Sequence, residues 1–184
     1  MPTNRMKILI HPMRLQIIWT LIGREMTPQE IALLIPEVSQ ASLYRHIQKL
    51  VQIGALEVVR ETPIRGTVEK VYRVVEQNIS VPTEEFKNAT REEHLHHFST
   101  FLTSLLPIYR AYVMKEEPEH IAQFVTYRTA TLNLTSEEYE VLRQKIRLNL
   151  QELDHNPPHD GTRRIFVSMT LFPETPEAER EATT

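Results

Sequence analysis

Residues 39–54, "SQASLYRHIQKLVQIG", repeat their apolar side chains with the period of a helix, and directly after Gly54 the period changes to two. That switch constrains the fold more than any other feature: a helix ending on a glycine must hand over at once to a strand. At about 100° per residue, Leu43, Ile47, Leu50 and Val51 gather on one side of the helix. Nearly opposite lie Ala41, Ser42, Arg45, Gln48, Lys49 and Gln52, with Gln40 and Tyr44 on one flank and His46 on the other. Ser39 is placed as the N-cap, and no acid occurs from 38 to 56. Beyond Gly54, Leu56, Val58 and Arg60 share one face of a strand. After "ETPIRGT", with Pro63 and Gly66 at the bend, Val68, Lys70, Tyr72 and Val74 return.

Two helices are expected upstream. His11-Pro12 opens the first, because proline suits a first turn where its missing N–H costs nothing; Leu15, Ile18, Trp19 and Ile22 form a face and Gly23 ends it. Thr27-Pro28-Gln29-Glu30 has the form of a capping box, Ile31, Leu34 and Ile35 point inward, and Pro36 stops the helix. Three short helices followed by a hairpin describe a winged helix-turn-helix.

A major groove admits one helix, and base edges there are told apart by Arg to guanine, Gln to adenine and small apolar groups to the thymine methyl. Arg45, Gln40, Gln48 and Ala41 supply that set. Lys49, Arg60, Arg65 and Lys70 would neutralise phosphates without reading sequence. The expected DNA-contacting set is Ser39, Gln40, Ala41, Ser42, Tyr44, Arg45, Gln48 and Lys49 on the helix, with Arg60, Arg65, Thr67 and Lys70 on the wing. Two plainer readings stand beside it: a solvated helix face, and a winged helix that binds protein without specific DNA binding. His46, beside the apolar face, is assigned to packing or a local hydrogen bond.

Residues 11–75 resemble the winged-helix domain of the ArsR-type bacterial transcriptional regulators. "HPMRLQIIWTLI" matches the opening helix, "MTPQEIALLI" the helix before the turn, "SQASLYRHIQKLVQIGALEVV" the recognition helix and first wing strand, and "VEKVYRVV" the returning strand. The resemblance implies that Gln40, Ser42, Tyr44 and Arg45 meet bases or nearby phosphates, Tyr44 standing where the family more often has Ser. It also implies repression rather than activation. Metal-sensing members often carry a Cys-containing motif in the helix before recognition; "IALLIPE" stands there instead.

The formal net charge of -3 excludes a polycation built for indiscriminate nucleic-acid binding. The charge is divided, however: residues 1–80 hold ten Lys and Arg against seven acids, and the rest eleven against seventeen. With no cysteine there is no disulfide framework or thiolate site, which suits a reduced cytosol, and a cytoplasmic protein is expected. Arg5, Lys7, His11, Pro12 and Arg14 interrupt the apolar start, so neither a signal peptide nor a membrane span is read there.

"VEQNISVPTEE", 75–85, reads as a linker into a helix capped by Thr83 and running to about 115, kinked at Pro107. Its stripe has too little of its own chain to pack on, so Phe86, Leu95, Phe98, Phe101, Leu102, Leu105 and Tyr109 are expected at a homodimer interface, with a pocket for an unknown small-molecule effector as the rival use. Strands are expected at 121–134 and 164–172 around a helix capped by Thr135-Ser136 with Tyr139, Leu142, Ile146 and Leu153 on one side. An acidic tail, read as disordered, follows. The expected fold is α+β: a winged-helix DNA-binding domain at 1–78, a helical plus β-α-β dimerisation or effector domain at 79–172, and the tail at 173–184.

"REEHLHHF" places Glu93, His94 and His97 at metal-ligand spacing on one helix, but one turn rarely completes a site, and a solvated histidine run is preferred. His155, His159 and Asp160 sit in a loop with no nucleophile motif before it, and Ser104 lacks a G-x-S-x-G context. With four glycines and no phosphate-cradling loop, no enzyme and no cofactor are expected. The sequence is therefore read as a homodimeric, sequence-specific DNA-binding transcriptional regulator.

Overall fold

A computed structural model describes residues 5–64, 67–154 and 160–174. The chain divides into two compact units, Met1–Ala130 and Thr131–Thr184. The expected boundary near residue 78 falls inside the first.

The first unit contains α1 (Arg5–Leu9), a turn not expected from the sequence, and α2 (Pro12–Leu21). α3 (Pro28–Leu34), α4 (Gln40–Gln52), β1 (Leu56–Ile64) and β2 (Thr67–Val74) complete the expected winged helix-turn-helix. α2 was expected to show one apolar face, but Arg14, Leu15, Ile17, Ile18 and Leu21 are all buried. Such a helix is central, and α1, α3, α4 and the later α6 (Arg91–Val113) all pack on it. The capping box forms at α3: Glu30 N–H donates to Thr27 Oγ1 at 3.2 Å and Thr27 N–H to Glu30 Oε2 at 2.7 Å. Ile31 and Ile35 are buried, whereas Leu34 turns outward. Ser39 Oγ caps α4 by accepting from Ser42 N–H at 3.3 Å. Gly54 takes φ 69°, which an L side chain rarely adopts, and Asn78 Nδ2 donates to its carbonyl at 2.9 Å.

β1 and β2 pair antiparallel with Leu56 opposite Val74 and Val58 opposite Tyr72, but a bulge between Val58 and Arg60 puts Arg60 opposite Val71. The extra residue lies in β1 and turns Arg60 to the exposed side; on β2, Val71 and Tyr72 are both buried and Val68 is exposed. Met26 adds a short third rung, exchanging backbone hydrogen bonds with Tyr72 at 3.1 and 2.9 Å. The core joins Ile17, Leu21, Ile31, Leu43, Ile47, Leu50, Leu56 and Tyr72 across all of these elements.

The expected long helix is two helices. α5 (Thr83–Lys87) ends at Asn88, and α6 restarts because Thr90 and Glu93 form their own capping box. Thr83 is the first helical residue of α5 and not its cap. α6 runs through Pro107, whose missing N–H leaves the Thr103 carbonyl without its usual helical donor. α7 (Pro118–Phe124) replaces the beginning of the strand expected at 121–134, since Pro118 sits where a helix starts.

In the second unit α8 (Ser136–Asp154) carries the expected cap: Glu138 N–H donates to Thr135 Oγ1 at 3.2 Å and Thr135 N–H to Glu138 Oε2 at 2.8 Å. Tyr139, Leu142 and Ile146 are its part-covered side, while Leu153 is exposed. Tyr139, Ile146 and Leu150 share a shallow groove with Val167, Met169 and Leu171. Residues 164–172 therefore present one side to α8 as their alternation implies. No strand ladder forms there or at 125–134 among the described residues, so the expected β-α-β pairing is corrected. Alternation reports a covered face; a ladder also needs a backbone partner. Most of the expected tail, with His155 and His159, lies outside the described residues, and Asp160 is exposed.

Candidate nucleic-acid interface

α4 separates its side chains cleanly. Leu43, Ile47 and Leu50 are fully buried, which fixes the rotation of the helix against the core. Ser39, Gln40, Ala41, Tyr44, Arg45, Gln48 and Lys49 are consequently exposed, and Ser42 is half-buried. Tyr44 keeps 42% of its surface and Val51, at the margin of the apolar face, 37%, so the outward face mixes a ring with amide and guanidinium donors. Ser39 spends its oxygen on the cap, which makes it a structural member of the expected set first.

The wing is less cationic than its composition suggests. Lys70 Nζ lies 2.9 Å from Glu61 Oε1, directly across the hairpin, and that carboxylate raises the Lys70 pKa. Arg73 is held by Glu57 at 2.6 Å, with Glu25 at 3.7 Å. Arg60 is exposed opposite Val71. Arg65 lies outside the described residues; Thr67 opens β2 opposite Ile64. Exposed pairs of this kind are weak, so Lys70 can exchange Glu61 for a phosphate at small cost.

Where α2 begins, the structure assembles a group from stretches distant in the sequence. His11, the N-cap residue of α2, and His46 of α4 lie with ring centroids 4.8 Å apart, and Arg14 is buried close to both. Burial, and then the charge of Arg14, lowers the pKa of each histidine, His11 to about 4. The sequence signal is His11-Pro12-Met13-Arg14, in which the proline marks the helix start and nothing marks the arginine as buried.

α6 leaves open most of the apolar row expected at a homodimer interface and packs a polar face inward. Its buried residues are His97, Thr100 and Ser104, with Ser104 Oγ donating to the Thr100 carbonyl at 2.6 Å. Leu95, Phe98, Leu102, Leu106 and Tyr109 stay exposed, as does Phe86 on α5. Phe101 instead meets Trp19 of α2 edge-on at 5.8 Å, and Leu105 is half-buried. Of the metal candidates, Glu93 caps α6 and pairs with Lys7 at 3.0 Å, Phe86 covers the His94 ring, and His97 is buried. No three His, Asp or Glu residues converge on a metal-sized site among the described residues.

Residues 9–59 match the family model of a helix-turn-helix domain. Among solved structures, the chain is similar to the adhesin competence repressor AdcR of Streptococcus pyogenes. One structure of that protein gives 17% identity and a TM-score of 0.29, covering 82% of this chain and 81% of the other. A second gives 18% and 0.28, covering 83% and 80%. Scores this low leave the fold to the helix order and hairpin described above. No curated protein matches the chain. Among the described residues no helix is long and apolar enough to cross a membrane.

Proposed function

We propose that this protein is a homodimeric, sequence-specific DNA-binding transcriptional regulator of ArsR type, acting as a repressor. The observation that carries this reading is the outward face of α4: Gln40, Ala41, Tyr44, Arg45, Gln48 and Lys49 exposed together, with no acid from 38 to 56, above a core that fixes their direction. In this mechanism two copies of α4 enter successive major grooves of a pseudo-palindromic site while the wings follow the flanking backbone. Arg45, Gln40 and Gln48 read base edges; Lys49 and Arg60 neutralise phosphates, joined by Arg65 and by Lys70 after it leaves Glu61. The exposed stripe of α6, with Phe86, provides the dimer contact, since an apolar row at helical spacing beside a packed polar face suits a second copy. Any effector works by binding the DNA-competent and DNA-incompetent dimers with different affinity.

Selection from a random duplex pool tests this. The expected product is a two-fold-related sequence with half-sites about one helical turn apart, and Arg45→Ala should lose preference at one position in each half. A pool that emerges unenriched would exclude specific recognition. The pairing of Lys70 with Glu61 and of Arg73 with Glu57 favours the second reading, a winged helix that binds protein, and that reading would then lead.

A further inference from the structure

We infer that His11, Arg14 and His46 form, together with Lys49, a seat for a phosphate oxyanion at the junction of α2 and α4. The argument starts from charge. Arg14 keeps only 5% of its surface exposed, and among the described residues no carboxylate pairs with it. Its Nη2 donates to the Lys7 carbonyl at 3.1 Å. A guanidinium withdrawn from water without a counterion is costly, so a site that holds one is short of an anion.

The surroundings repeat that deficit. Among the described residues, Arg14 Nε, His11 Nδ1 and His46 Nδ1 are buried and find no hydrogen-bond partner. The two imidazoles lie 4.8 Å apart, tilted by 43°, and among the described residues the charged side chains that act on the rings are cationic: Arg14 and Lys49 on both, Arg45 on His46. His11 also stands at the N-terminal end of α2, a ten-residue helix whose dipole adds positive potential. Three buried nitrogens with a lysine beside them suit an anion with several oxygens. A metal cation would meet Arg14 and find no carboxylate. Phosphate adds one further fit: each ring can take up a proton as the anion arrives and then donate to it.

The phosphate has two possible sources. One is a DNA phosphodiester beside α4, a source that rests on the DNA-binding reading. The other is a phosphorylated small molecule free in solution. His46 then links occupancy to the same helix that carries Arg45 and Lys49.

The test follows the imidazole titrations of His11 and His46 by NMR in the full chain at constant ionic strength, with chloride, inorganic phosphate or a short duplex as probe. Phosphate should raise both pKa values by about one unit, because a nearby anion favours the charged imidazole. His46→Gln should weaken phosphate binding roughly tenfold as read at His11; His11→Gln, read at His46, serves if that variant does not fold. A shift with duplex identifies the backbone as a source. A shift with phosphate but not with a duplex that binds identifies a free phosphorylated ligand. A shift with phosphate in a protein that binds no duplex keeps the seat and removes the DNA reading. If duplex binds while neither probe moves either histidine, the seat is wrong and the DNA reading stands; if nothing binds and nothing moves, both fall.

Discussion

Arg45 and Ile47 are two positions apart on α4, yet Ile47 is fully buried and Arg45 is exposed. Truncating each should therefore fail differently. Ile47→Ala should cost about 2–5 kcal/mol of stability, measured by urea unfolding, because it opens a cavity in the shared core. Arg45→Ala should leave stability within about 0.5 kcal/mol and cost about 1–3 kcal/mol on specific DNA while relaxing base preference. Unchanged affinity and preference would remove Arg45 from the reading face. The histidines give a pH prediction. His11, His46 and His97 have folded pKa values below the ordinary 6.5, His11 at about 4, first because of burial. The unfolded chain then binds protons more readily, so stability is intact above about pH 6.5 and falls as pH drops toward 4. In phosphate-free buffer the loss between about pH 7 and pH 5 should be of order 1 kcal/mol after solvent screening, and smaller in His46→Gln. A flat unfolding midpoint over that range would contradict the burial argument. Which α4 side chains are buried and which exposed was legible because period and polarity agree. Arg14 was not, since sequence alone does not tell a buried cation from a solvated one.

At the scale of elements, Thr27→Ala removes the hydroxyl that accepts from Glu30 N–H and should cost about 1 kcal/mol, read as a lower urea midpoint. No change would mean that the turn before α4 is held by packing alone. This cap, the cap of α8, the ends at Gly23 and Gly54 and the hairpin were all readable, because each depends on a few adjacent residues. The bulge at Val59, the break at Asn88–Thr90 and the rung from Met26 were missed. Each is decided by what packs or pairs at a distance, which periodicity does not record. The α6 stripe is expected at a dimer interface and most of its apolar row is exposed; the inward side, His97, Thr100 and Ser104, carries no apolar signal that would announce it. Leu102→Asp should accordingly leave the fold intact and shift sedimentation from dimer to monomer; an unaltered dimer would place the interface elsewhere.

For the molecule as a whole, the formal net charge of -3 requires attraction to DNA to be local, concentrated on α4 and the wing while the C-terminal half carries the excess acid. Binding should therefore be steeply salt-dependent in spite of the overall sign, with a slope set by the few phosphates that the proposed mechanism gives to Lys49, Arg60 and their wing neighbours. The most direct measurement is fluorescence anisotropy against the duplex immediately upstream of the protein's own reading frame and against a shuffled duplex of equal composition, at two salt concentrations. The account predicts tighter binding to the native duplex, with both affinities falling as salt rises. No binding to either duplex at low salt would contradict it and return the outer face of α4 to solvent.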